Sequence, residues 1–158
     1  MRNKVMNSIC LFGGTILGAA ITGKITGKKK NEMAHLSEKH LSLFLMMNQW
    51  VKVKQDKKEL TDFFLRNGYK KIAIYGMSYV GETLLEELKT SEVKVAYGID
   101  KNARFVCSDV DVFSPEDKLE EVDAIVVTAI AYFDEIEEKL LEKVSCPILS
   151  FEDILYDV

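Results

Sequence analysis

The chain has 158 residues, room for one domain of ordinary size and an appendage. Its net charge of −4 and pI near 5.3 argue against a general nucleic-acid binder, which would carry a basic stripe, so no nucleic-acid partner is expected. Cys10, Cys107 and Cys146 form no CxxC pair and fit a reducing compartment, while His35 and His40 both precede the α/β region, which argues against a zinc site or a Ser-His-Asp triad within it.

Val5 to Gly23 carries no charge and is followed by Lys24, Lys28, Lys29 and Lys30. About 20 apolar residues cross a bilayer as a helix, so this stretch is just long enough. Read as an anchor, it places the remainder in the cytoplasm, because the lysine excess lies on its C-terminal side. A cleaved signal peptide ending near Gly18-Ala19-Ala20 and a glycine-rich peripheral segment are the other two readings. Residues 1–30 are thus expected to be membrane anchor and basic hinge, 31–68 a helical lead-in and 69–158 the main domain.

Glu32 to Lys54 is expected to be helical, with Leu36, His40, Leu43, Phe44 and Met47 at spacings of three and four. Leu41, Leu45, Met46, Trp50, Val51 and Val53 widen its apolar surface beyond one stripe. Such a helix must bury itself on the following domain or on another copy, which leaves room for a homodimer. Asp56 to Asn67 reads as a second helix, closed by Gly68 in a left-handed cap.

The stretch from Lys70 to Gly81 reads as a short buried strand, a glycine turn and the start of a helix. That helix is expected over Gly81 to Lys89, strand two over Val93 to Ile99 and a short third strand over Val110 to Val112. Ser114-Pro115-Glu116 has the chemistry of a helix start, a capping serine before proline and an acid. Ala124 to Thr128 is expected to be a strand, and its Ile125-Val126-Val127-Thr128 run is β-branched throughout, as in strands buried on both faces. A helix from Phe133 to Lys143, a strand from Pro147 to Leu149 and a helical turn from Phe151 to Tyr156 close the chain. The alternation predicts an α/β fold: a doubly wound, mostly parallel five-stranded Rossmann-like sheet preceded by N-terminal helices.

The dinucleotide fingerprint is G-x-G-x-x-G with an acid about 20 residues on. Here Gly76, Ser78 and Gly81 take the three positions and Asp100 ends strand two. Gly76 permits the tight turn and Gly81 close helix–strand packing. Ser78 puts a side chain where a pyrophosphate normally approaches bare backbone, although its hydroxyl and the helix N-terminus could serve a phosphate instead. Asp100 is placed for ribose hydroxyls and disfavours a 2′-phosphate, which points to NAD or a nucleoside diphosphate. Thr128 and Tyr132 could line the crevice opposite, or cap strand and helix. The loop therefore reads either as a nucleotide site or as a turn kept for folding. Tyr97 and Lys101 have Tyr-x-x-x-Lys spacing but straddle a strand end rather than sharing a helix face. No complete catalytic constellation emerges.

From Trp50 onward the chain resembles the Rossmann-like domains of bacterial surface-polysaccharide biosynthesis proteins. The residues that carry this are 71–81 (Lys71-Ile72-Ala73-Ile74-Tyr75-Gly76-Met77-Ser78-Tyr79-Val80-Gly81), 97–102 (Tyr97-Gly98-Ile99-Asp100-Lys101-Asn102) and 122–128 (Val122-Asp123-Ala124-Ile125-Val126-Val127-Thr128). Similar patterns occur in the N-terminal domain of sugar O-acyltransferases and in nucleoside-diphosphate-sugar epimerase-like domains. The resemblance implies a nucleotide or nucleotide-sugar ligand, with Gly76, Ser78, Gly81 and Asp100 inheriting the binding role. With no acyltransferase or epimerase substrate domain in the sequence up to Val158 and Ser78 in place of a glycine, a catalytic role is not expected to carry over. The expectation is a membrane-tethered, cytoplasm-facing accessory module of cell-surface polysaccharide biosynthesis, alone or with a glycan-biosynthesis partner protein. The alternatives are a small NAD-dependent oxidoreductase or epimerase subunit and a ligand-sensing regulatory domain of a transporter.

Overall fold

The computed structural model describes Met33, Ala34 and residues 36–158. The expected span from Val5 to Gly23 and the hinge to Lys30 lie outside the described residues. The chain divides into two compact units, 1–41 and 42–158. In the first, residues 33, 34 and 36–41 are helical, with Met33, Leu36 and Leu41 exposed. Among the described residues, no helix is long and apolar enough to cross a membrane.

The second unit opens with helical residues 42–55, here α1. A turn with Lys57 at φ 58° separates it from α2, Leu60–Arg66, so the second helix is shorter than the sequence suggests. Gly68 takes φ 80° and ends α2 as expected, with its amide donating to Leu65 O at 3.1 Å.

The sheet follows. β1 is Lys71–Tyr75, β2 Lys94–Ile99, β3 Val112–Phe113, β4 Ala124–Val127 and β5 Ile148–Ser150. Their order is β3-β2-β1-β4-β5 and every pairing is parallel. Helices α3 (Tyr79–Leu88), α4 (Phe133–Leu141) and α5 (Phe151–Asp157) complete an α/β fold of doubly wound, Rossmann-like type.

Strand periodicity of two sorts the core into two layers. Ile72 and Ile74 of β1 and Val126 of β4 face one cluster, which holds Trp50 of α1, Phe64 of α2, Leu84 of α3 and Phe151 of α5. Ala73, Tyr75 and Val127 face the other, against Ile136 and Leu140 of α4. The four residues of β4 are all buried, as a strand covered on both faces requires. Helix α1 is locked to this core: Trp50 packs edge-on against Phe151 at 4.7 Å, and Gln49 Nε2 donates to Leu155 O at 3.1 Å.

One expected element is absent. Ser114-Pro115-Glu116 starts a single turn and no helix. Asp117 Oδ2 accepts the Ser114 amide at 2.8 Å, and the Asp117 amide donates back to Ser114 O at 3.0 Å. The cap chemistry is thus spent on the turn. Beyond it Leu119 and Val122 pack against the core layer of Tyr97 and Ile136.

Candidate functional site

Because the strands are parallel, β1 to β4 all end on one edge. From β1 the chain steps outward to β2 and β3, then returns to place β4 on the other side. The carboxyl edge around β1, beside this switch in direction, is where ligands of such sheets sit.

The loop from β1 to α3 has the expected backbone. Gly76 adopts φ 98°, in the left-handed region, and its amide donates to Ile99 O at 2.8 Å. A Cβ on Gly81 would collide with the Gly76 carbonyl, so Gly81 is the close-packing glycine. Ser78 is the residue before α3; it is exposed and its side chain caps nothing. The first amides of α3 have no carbonyl of their own helix to bond and face this edge. Tyr79, the first residue of the helix, is 86% exposed.

Met77 and Asp100 hold the loop closed. The Met77 amide donates to Asp100 Oδ2 at 2.9 Å, and the Asn102 amide donates to Asp100 Oδ1 at 2.8 Å. Asp100 therefore joins the loop after β1 to the loop after β2, and each carboxylate oxygen already accepts one backbone bond. The Met77 side chain is buried against Gly98, where a Cβ would lie 2.6 Å from Met77 Cγ. The sequence marks Met77 only as bulky; the glycine that receives it lies on the neighbouring strand.

Thr128 is buried. Its hydroxyl donates toward Gly76 O at 2.6 Å, with Tyr75 O at 3.1 Å, and its amide also bonds Tyr75 O at 2.9 Å. It fastens the end of β4 to the loop and fills the crevice between β1 and β4. Tyr132 ends a 3-10 turn, Ile130–Tyr132, on the same edge. Gly76, Ser78, Gly81, Asp100 and Thr128 thus converge on one loop junction: Ser78 faces outward, Gly76, Gly81 and Thr128 are buried, and Asp100 is half-buried.

Beside this junction, at the ends of β2 and β3, lies a cavity of about 480 Å³ lined by Lys101, Asn102, Arg104, Phe105, Ser114 and Asp117. Phe105 is 89% exposed, a flat apolar face at its mouth. Lys101 and Arg104 bring two cations to this opening and Asp117 one carboxylate, and Lys101, after Lys139, also helps to hold the Glu135 carboxyl below its ordinary range. Arg104 and Phe105 are the site residues that sequence reasoning missed. Their signal was an arginine–aromatic pair directly after the acid that ends β2, on a 3-10 turn, Ala103–Phe105.

No curated protein and no solved structure matches the chain. A family model described as C2185-like, N-terminal, matches residues 68–147, just over half of the chain, from the Gly68 cap to the approach to β5. That match contains the whole loop junction and the cavity beside it, and on this basis the chain belongs to the C2185-like, N-terminal family.

Proposed function

We propose that the carboxyl edge of β1 to β3 binds a nucleoside diphosphate or nucleotide-sugar, and that the chain is an accessory module of bacterial surface-polysaccharide biosynthesis rather than an enzyme by itself. The observation that carries this reading is the Lys101–Arg104–Phe105 opening at the ends of β2 and β3. An aromatic face suits a nucleobase and two cations suit phosphate.

The same geometry favours a mononucleotide over NAD. A dinucleotide extends across the switch point toward β4, and here Thr128 and Gly76 fill that crevice. Asp100 supports the ligand by holding the two loops together. In this reading the segment from Val5 to Gly23 tethers the module to the membrane and the domain faces the cytoplasm.

The test is isothermal titration of the chain with ADP, UDP, a UDP-sugar and NAD. UDP or UDP-sugar binding that weakens at least ~10-fold in Arg104→Ala, with melting unchanged, is the expected result for a lost charge-assisted contact. No binding by any of the four at millimolar concentration, or binding indifferent to Arg104 and Phe105, would sink the proposal.

A further inference from the structure

Tyr75 and Tyr97 are both buried in the sheet, but their hydroxyls differ. Tyr97 donates to Glu120 O at 2.6 Å. Tyr75, at the end of β1, is 5% exposed, and its hydroxyl makes no hydrogen bond among the described residues. No buried side-chain oxygen among them is shut away without a partner, so the Tyr75 oxygen reaches open space. That space is a cavity of about 210 Å³ between α4 and the Ser114–Asp117 turn. We infer that this cavity is a subsite for a monosaccharide ring, free or as the sugar half of a nucleotide-sugar. The linked form rests on the nucleotide reading above; the free form does not.

A phenylalanine would fill the same place, and a buried hydroxyl is unfavourable until it is bonded. The Tyr75 hydroxyl therefore takes its partner from outside the protein. Burial pushes its pKa up, with Lys139 opposing, so at neutral pH it is a phenol that both donates and accepts. The charges around it cancel. Lys139 Nζ meets Glu135 Oε1 at 2.6 Å, Lys143 Nζ meets Glu116 Oε2 at 3.1 Å, and Glu142 adds a further carboxylate. These groups leave no surplus positive charge to hold a phosphate or a carboxylate. They leave N–H donors and carboxylate acceptors beside a neutral phenol, which a ring of hydroxyls can bond from several sides. Pro115, Ile136 and Leu140 supply an apolar floor for the C–H face of such a ring. Small-molecule sites have this make-up, a few placed polar groups over an apolar lining.

The cavity adjoins the nucleotide opening. Ser114 and Asp117 line the opening, while Pro115 and Glu116 of the same turn line the cavity. Lys101 of the opening lies within electrostatic reach of Glu135, the partner of Lys139, and Asp100 within reach of the Tyr75 phenol. A nucleotide-sugar with its phosphates at Lys101 and Arg104 can thus lay its sugar across the turn beside Tyr75. The cavity has less than half the volume of the opening, which suits one ring rather than a base, ribose and phosphates.

Isothermal titration of the full chain and of Tyr75→Phe with UDP, UDP-glucose and UDP-N-acetylglucosamine tests the linked form. Saturation-transfer NMR with free glucose and N-acetylglucosamine tests the free one. The expected result is a UDP-sugar that binds at least ~5-fold more tightly than UDP, a gain that Tyr75→Phe removes while UDP affinity stays unchanged, as loss of one neutral hydrogen bond does. Transfer from a free sugar that is lost in Tyr75→Phe supports the subsite equally, and without UDP binding it keeps the subsite and rejects the nucleotide opening. UDP binding with no gain from either sugar and no transfer would overturn the subsite and leave the opening standing. Silence from every probe would overturn both, and a gain or transfer that survives Tyr75→Phe would overturn the subsite. Tyr75→Phe should also melt no lower than the parent. A fall like that of Tyr97→Phe would give the hydroxyl a partner inside the protein and end the inference.

Discussion

Replacing Gly76 by alanine probes the junction on which the candidate site rests. At φ 98° an alanine pays for a left-handed backbone, about 1–2 kcal/mol. Its Cβ would also lie 2.7 Å from Thr128 Oγ1 and 3.3 Å from Ala129 Cβ. Thr128 must then turn away and give up its hydroxyl bonds to the Gly76 and Tyr75 carbonyls, a further loss of about 1–1.5 kcal/mol. The two contributions together give about 2–3.5 kcal/mol and, for a domain of this size, a fall in melting temperature on the order of 10 °C. Urea denaturation followed by Trp50 fluorescence measures it. Thr128→Ala removes the atom that collides, so the double variant should be less unstable than the sum of the single ones by about 1 kcal/mol. A Gly76→Ala protein within about 0.5 kcal/mol of the parent, or strictly additive variants, would refute the picture of Thr128 clamping the loop.

Three further outcomes follow from the packing and the charges. Asp123 accepts the Lys71 and Lys70 amides at 2.7 and 2.8 Å, and these bonds hold its carboxyl below the ordinary carboxylate range. A lowered native pKa means stability that is present above the ordinary value and lost as pH falls through the native one. Urea midpoints between pH 2 and 6 should therefore fall less steeply in Asp123→Asn than in the parent; parallel curves would contradict this. Burial pushes the Tyr97 phenol up to about 12, and its hydroxyl donates to Glu120 O at 2.6 Å. Its contribution is complete below the ordinary tyrosine pKa of about 10 and is lost as pH rises through the native value. Tyr97→Phe should cost about 1 kcal/mol at neutral pH and flatten the alkaline loss seen by circular dichroism; an unchanged alkaline limb would count against it. Trp50→Ala removes the Phe151 contact and the Glu87 bond, and should cost about 3–5 kcal/mol in thermal or urea unfolding. A loss under 1 kcal/mol would mean that α1 is not part of the cooperative unit.

Much of the fold was legible because its signals are local. The β-branched run from Ile125 to Thr128 marks a strand covered on both faces, and Asn67-Gly68 marks a helix stop. The glycines at 76 and 81 were legible for the same reason: a turn that reverses a strand into a helix leaves no room for side chains there. The expected helix after Ser114 failed on a point that local chemistry does not contain. Serine, proline and acid start a helix or close a turn equally well, and here the Ser114 and Asp117 bonds close a turn.

The candidate site divides in the same way. Asp100 was legible as the acid ending β2, but its bond to the Met77 amide was not, since a carboxylate's partner depends on which loop the sheet brings beside it. Met77 over Gly98, Thr128 against Gly76, and the Arg104–Phe105 opening are likewise set by strand order. The sequence by itself determined the elements and the turn where a phosphate could lie, because periodicity, β-branching and glycine geometry act within a few residues. Only the tertiary structure decided which polar groups that turn still offers and which face of α1 stays bare, because both depend on contacts between segments far apart in the chain.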